Sequence, residues 1–261
     1  MTAHGWLRIG VAVVAAGLLA GLAASALIWL LDLVQFAAYG VDADSLMLDV
    51  EQASAVRRVL APTIGGLLAG LGWWALARRG DLLSGDDLQA AMPAKTPLLR
   101  PLADGVLQTA VVGAGASIGR EGAPRLVAAA LAARLATRLE LDASAARIIV
   151  AGAAGAGLAA VYNVPLAGAI FGVEVLVLGQ MFYDVLFPCF VAGVVGYHVA
   201  LRLGASFPHD LLPPMPTFSG WSMIEIIMLG VWCGLAALLL IEVMKLGERC
   251  FAKLGWHWSL K

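Results

Sequence analysis

The residues best placed to do chemistry lie in one stretch, Gly113-Ala-Gly-Ala-Ser-Ile-Gly119-Arg120-Glu121-Gly122-Ala123-Pro124-Arg125. Glycines run into a carboxylate flanked by two arginines, and an alanine-rich segment follows. The pattern predicts a loop entering a helix. At a helix N-terminus the free backbone N–H groups and the positive end of the helix dipole attract anions, and glycines let the backbone approach the ligand. A Walker A phosphate loop is excluded because no Gly-Lys-Ser/Thr follows. Gly113, Gly115 and Gly119 are spaced GxGxxxG with no strand before them, which is a poor dinucleotide fingerprint.

Glu121 is the residue in this stretch that most needs a reason. An ionisable group between membrane segments is costly and tends to mark an ion or proton path. The competing explanation is an ion pair with Arg120 or Arg125 at the interface, and helix packing alone accounts for glycines in a membrane protein. A second stretch, Gly152 to Glu174, reads as a small-residue helix, a break at Asn163 and Pro165, and another helix. Pro165 suits the first turn of the new helix, and Asn163 is placed to cap it. Glu174 then falls inside an apolar helix, either paired with a polar neighbour or near the interfacial end. A third element, Leu83-Ser84-Gly85-Asp86-Asp87-Leu88, reads as a helix start capped by Ser84 or Asp86. His4, His198, His209 and His257 are dispersed, so no metal site is expected. No nucleophile-and-base pair stands out, so enzyme chemistry has no candidate site.

The elements that must position these residues are membrane helices. The 261 residues are 61% hydrophobic and only 13% charged, and the mean hydropathy is +0.87. This is an integral membrane composition. A formal net charge of −1 speaks against a disordered chain and against a nucleic-acid partner. Cys189, Cys233 and Cys250 have no CxxC spacing and are expected as small buried hydrophobes. Spans are predicted at Trp6 to Leu31 and Val59 to Ala77, with the bilayer needing about 20 apolar residues. The first is too long for the apolar core of a signal peptide, which runs to about 15 residues. Its following loop is acidic, whereas Arg78, Arg79, Lys95 and Arg100 follow the second span, so the N-terminus is expected to be cytoplasmic. After Pro101 come shorter Gly/Ala-rich segments at about 103–117, 126–136, 146–161 and 166–180. Some are too short to cross upright, so tilted or broken helices shielded by protein or an aqueous cavity are expected. Longer segments at 182–203 and 221–246 flank a Pro-rich loop.

At these motifs the chain resembles the CLC family of chloride channels and proton-coupled chloride exchangers. Gly119-Arg120-Glu121-Gly122 matches that family's GREGP element, and Asn163-Val164-Pro165-Leu166-Ala167-Gly168 matches its N-A-P-L-A-G element, in the same order and with similar spacing. Ser84-Gly85 is a candidate remnant of its GSGIP element, so the resemblance runs from about residue 55 to the end. It implies an all-α, polytopic fold with tilted and broken helices, the first half of an inverted-repeat architecture. The expected organisation is a transmembrane half-repeat over 1–206, a Pro-rich loop over 207–220, and over 221–261 the first helix of a second half that a longer protein or another chain would complete. It implies a homodimer in a bacterial-style inner membrane, carrying chloride or a similar small anion with no cofactor. Glu121 would be the gating glutamate. Ser84, Gly85, Gly119, Arg120 and Gly122 would belong to the anion cradle.

Three departures qualify this. Asp86-Asp87 stand where the family has Ile-Pro, placing carboxylates beside the Ser84 site. Ala123 replaces the proline of GREGP, with Pro124 one residue later, which is expected to shift the helix start slightly. Many exchangers of the family carry a Glu-Glu pair after N-A-P-L-A-G, the second glutamate passing protons; here Glu174 aligns with the first and Val175 occupies the second. Valine carries no proton. Passive conduction is therefore slightly favoured over proton/chloride antiport, with Glu174 as a candidate proton path. A non-transporting assembly or regulatory partner is the expectation from another class.

Overall fold

The structure, a computed structural model, describes residues 3–40, 50–78, 98–174, 182–205 and 220–253. Those residues form helices and contain no strand. The long helices are α1 (Ala3–Tyr39), α2 (Ala55–Ala77), α3 (Leu99–Gly113), α4 (Gly122–Arg138), α5 (Ala143–Tyr162), α6 (Pro165–Glu174), α7 (Phe182–Arg202) and α8 (Gly220–Lys253). Five of them, in α1, α2, α5, α7 and α8, are long and apolar enough to cross a membrane. The chain is thus an all-α, multi-pass membrane protein, as its composition requires. It divides into two units, Met1–Pro208 and His209–Lys261.

In the first unit α5 is the central element, packing against α1, α4, α6 and α7. Its sequence explains why. From Ala145 to Val161 it is almost wholly alanine, glycine and small aliphatic residues, and nearly all of them are buried. Hydrophobicity cannot tell a neighbouring helix from lipid, so packing in a bilayer depends on close contact between small residues. Gly155 of α5 lies against the Gly168 carbonyl of α6, and Gly168 lies against the Gly155 carbonyl in return. The helices therefore cross backbone on backbone. Along α1 and α7 the same device recurs, where Gly17 faces the Ala192 carbonyl and Gly21 the Gly196 carbonyl. α2 joins α3 through a polar contact, Trp73 Nε1 donating to Asp104 Oδ1 at 2.7 Å, which satisfies an otherwise costly buried carboxylate.

The break between α5 and α6 differs from expectation in one respect. Asn163 does not begin the second helix; it ends the first, in the left-handed conformation with φ 59° and ψ 37°. The Val164 N–H returns to the Ala159 carbonyl at 3.2 Å, closing the end of α5. Val164 accepts the first bond of α6, from Gly168 N at 2.9 Å, and Pro165 is the first helical residue as its fixed φ favours. Asparagine serves here because it tolerates φ > 0 far better than a β-branched residue. Asn163→Val is expected to lower stability by about 2 kcal/mol, and Asn163→Gly by much less, as read from thermal unfolding in detergent.

Cys189 is buried in the cluster formed by α5, α6 and α7, as expected, but Cys233 and Cys250 are exposed on α8. The reason is that the described side chains of α8 are almost all exposed. A small apolar residue on such a helix meets lipid as readily as protein. The described residues of the second unit form this helix, with an exposed Lys245 Nζ to Glu242 Oε1 pair at 2.8 Å that contributes little to stability.

Candidate anion site at the start of helix α4

The glycine-rich stretch folds as the sequence predicts, into a loop that ends one helix and starts another. α3 stops at Gly113, where Gly115 takes φ 104° and the Ala116 N–H returns to the Val111 carbonyl at 3.0 Å. Tyr39, the last residue of α1, pins this turn by donating its hydroxyl to the Ala114 carbonyl at 2.9 Å. Gly115 has no room for a side chain, because the Tyr39 hydroxyl occupies the position a Cβ would take. Gly119 also has positive φ, 80°, and the Glu121 carboxylate folds back over it into the space a side chain would fill. Positive φ favours glycine at both positions, and at Gly115 the close approach of Tyr39 adds to it.

α4 begins at Gly122, with Pro124 in its first turn. Pro124 fits this first turn, whose N–H groups have no partner within the helix. Glu121 occupies the position before that turn, yet its side chain caps nothing. Its carboxylate is directed elsewhere. Tyr162, the last residue of α5, donates its hydroxyl to Glu121 Oε1 at 2.6 Å. This contact joins the two motifs, 41 residues apart, into one site.

The arginines of the stretch lie around the same point. Arg125 Nε donates to the Glu121 backbone carbonyl at 3.0 Å, and its guanidinium lies 5.0 Å from the centre of the Phe171 ring of α6. The Arg120 guanidinium lies 5.5 Å from the centre of the Tyr162 ring, a cation–π distance. Glu121 and Gly119 are exposed, and Arg120 and Gly122 half-buried. The site thus combines a helix N-terminus, two cations and one exposed carboxylate on an open face of the unit.

Among the sequence-predicted residues, Gly119, Arg120, Glu121 and Gly122 fall together here. Glu174 does not join them. It is the exposed last residue of α6, whose first turn is the end nearest Tyr162, so about 14 Å of helix separates it from that end. Ser84 and Gly85 lie outside the described residues. Tyr162 is the residue that sequence reasoning missed. The available signal was a lone hydroxyl at the end of an apolar helix, immediately before the asparagine break. No group of His, Cys, Asp or Glu able to hold a metal ion occurs among the described residues.

Comparison with known proteins defines the class to which this chain belongs. The pattern of the family described as voltage gated chloride channel matches residues 83–260, more than half of the chain. The chain is 39% identical over 125 residues, 48% of its length and 28% of the relative's, to a chloride/fluoride channel protein of Pseudomonas syringae pv. tomato. It is 32% identical over 211 residues to a putative chloride channel protein ClcB-like of Ralstonia nicotianae, covering 75% of this chain and 47% of that one. It is 33% identical over 228 residues to a voltage-gated ClC-type chloride channel ClcB of Shigella flexneri, covering 84% and 54% respectively. No solved structure matches. The chain belongs to the CLC family of voltage gated chloride channels. It spans about half the length, or less, of these curated relatives.

Proposed function

We propose that this chain contributes the first half of a pathway for chloride or a similar small anion, with Glu121 as its gate. The observation that carries the reading is a carboxylate at the start of α4 that leaves its own helix uncapped and reaches the Tyr162 hydroxyl instead. A carboxylate so held is a movable anion at a place whose dipole and N–H groups favour anions. It competes with a permeant anion while ionised and gives way when protonated or displaced. Gly119, Arg120 and Gly122 form part of the cradle; Ser84 and Gly85, outside the described residues, are assigned to it by the family resemblance alone. The remaining ligands come from a second half. The working unit is a homodimer in a bacterial-type inner membrane, N-terminus cytoplasmic. The acidic loop before α2 and the cations after it support that orientation.

Within this class we favour passive conduction, because Val175 stands where a proton-passing glutamate would be. Glu174, at the far end of α6, supports the second reading, proton-coupled antiport. The experiment is anion efflux from liposomes containing the purified full-length protein, with external pH recorded at the same time. Channel activity predicts anion movement without fixed-ratio proton movement, whereas antiport predicts the two in constant proportion. The name of the Pseudomonas syringae relative makes fluoride the anion to test beside chloride. No flux of either anion from well-folded protein would leave the non-transporting partner as the better reading.

A further inference from the structure

We propose that Tyr162 is a positioning residue that latches the Glu121 gate, its hydroxyl holding the ionised carboxylate back against Gly119 and releasing it on protonation. The inference rests on the gating reading above and adds to it the group that sets when the gate opens. Its ground is geometric. Tyr162 Oη lies 2.6 Å from Glu121 Oε1, within the short range of hydrogen bonds to ionised acceptors. Tyr162 is itself held from three sides. Its backbone is the last turn of α5, closed directly behind it by left-handed Asn163. Its ring packs against the small-residue cluster of α1, α5 and α7 that contains Ala24, Ala160, Val161 and Ala200. The Arg120 guanidinium stands over the other part of the ring. A donor fixed in this way keeps a fixed position when the glutamate moves.

The charged and titratable groups around Glu121 are Tyr162 from α5 and, from its own segment, Arg120 and Arg125. A phenol stays protonated in the acid to neutral range. Glu121 is therefore the group of this set that changes state there. A hydroxyl that donates to a carboxylate favours the ionised form, so the latch keeps the gate closed to lower pH than the arginines alone would.

Tyr162→Phe keeps the ring beneath Arg120 and removes only the donor. In full-length protein reconstituted in liposomes, the acid midpoint of chloride efflux is expected to move up by about one pH unit, since a hydrogen bond to an ionised group changes the equilibrium by about tenfold. In a Glu121→Gln background the same change is expected to have no effect on the pH profile. A purely structural tyrosine would instead alter total flux in both backgrounds and leave the midpoint alone, and that result overturns the latch. If Glu121→Gln alone changes flux or its pH dependence while Tyr162→Phe does not shift the midpoint, the latch falls and the gate stands. If Glu121→Gln changes nothing, both fall. Should Tyr162→Phe fail to fold, infrared difference spectra of the native protein between neutral and acid pH provide the second measurement. Protonation of Glu121, identified by the carboxyl band lost in Glu121→Gln, is expected to shift a tyrosine ring band with it, and an unshifted tyrosine band overturns the proposal.

Discussion

Glu121→Gln is expected to raise anion flux near neutral pH by about tenfold and to flatten its dependence on pH. Glutamine has the size of the protonated glutamate and none of its charge. It cannot compete with a permeant anion, and its contact with the Tyr162 hydroxyl is one between neutral groups, weaker than the charge-assisted bond at 2.6 Å by a factor of about two. A gate worth that difference changes the open population by about an order of magnitude. Native protein and variant should therefore converge at acid pH and diverge as pH rises. Efflux measured across that range, at matched protein density in the liposomes, decides the matter. Equal flux and equal pH dependence would remove Glu121 from the gate. A loss of flux at every pH, with folding intact, would mean that the carboxylate helps the anion across.

Gly157→Val is expected to be strongly destabilising in the core of the first unit. A Cβ at Gly157 would lie 2.7 Å from the Pro124 carbonyl oxygen and 3.0 Å from its carbon, with the Ala128 methyl 3.3 Å away on the same helix. Two of these neighbours are backbone, so no rotamer change relieves the clash. α5 and α4 must move apart. Overpacking of that kind costs about 1–3 kcal/mol, with the upper end expected where backbone is the obstacle. The displaced element is the first turn of α4, which carries Glu121 at its head, so flux is expected to fall with stability. Gly152→Ala supplies the contrast. The nearest atom to its Cβ would be 3.5 Å away, an ordinary contact, and thermal unfolding in detergent should barely change. If Gly157→Val unfolds at the temperature of the parent protein, the close crossing of α4 and α5 is not what holds this unit together.

How much of this was legible in the sequence follows from which forces act locally. Helix existence was legible because apolar runs between charged or proline-marked ends define membrane segments, and the glycine loop was legible because few other sequences turn so tightly. α1 extends to Tyr39, well past the expected Leu31, because Asp32 and Gln35 are ordinary helix residues once the chain leaves the hydrocarbon. Hydropathy marks the membrane and not the helix end. The role of Asn163 was assigned to the wrong helix, since asparagine caps a helix start with its side chain and ends one with its backbone, and only φ distinguishes the two. Pairing of Glu121 with its tyrosine was not legible at all. Arg120 and Arg125 are its neighbours in sequence, while Tyr162 reaches it only because glycines let α4 and α5 come within backbone contact.

α1 has one further consequence. Its 37 residues make a rod about 55 Å long, against a hydrocarbon layer of about 30 Å. A rod of that length answers a thinner or thicker bilayer by changing its tilt. Its tip is Tyr39, hydrogen-bonded to Ala114, a few residues upstream of Glu121. The loop that leads to Glu121 is thereby tied to a helix longer than the hydrocarbon layer.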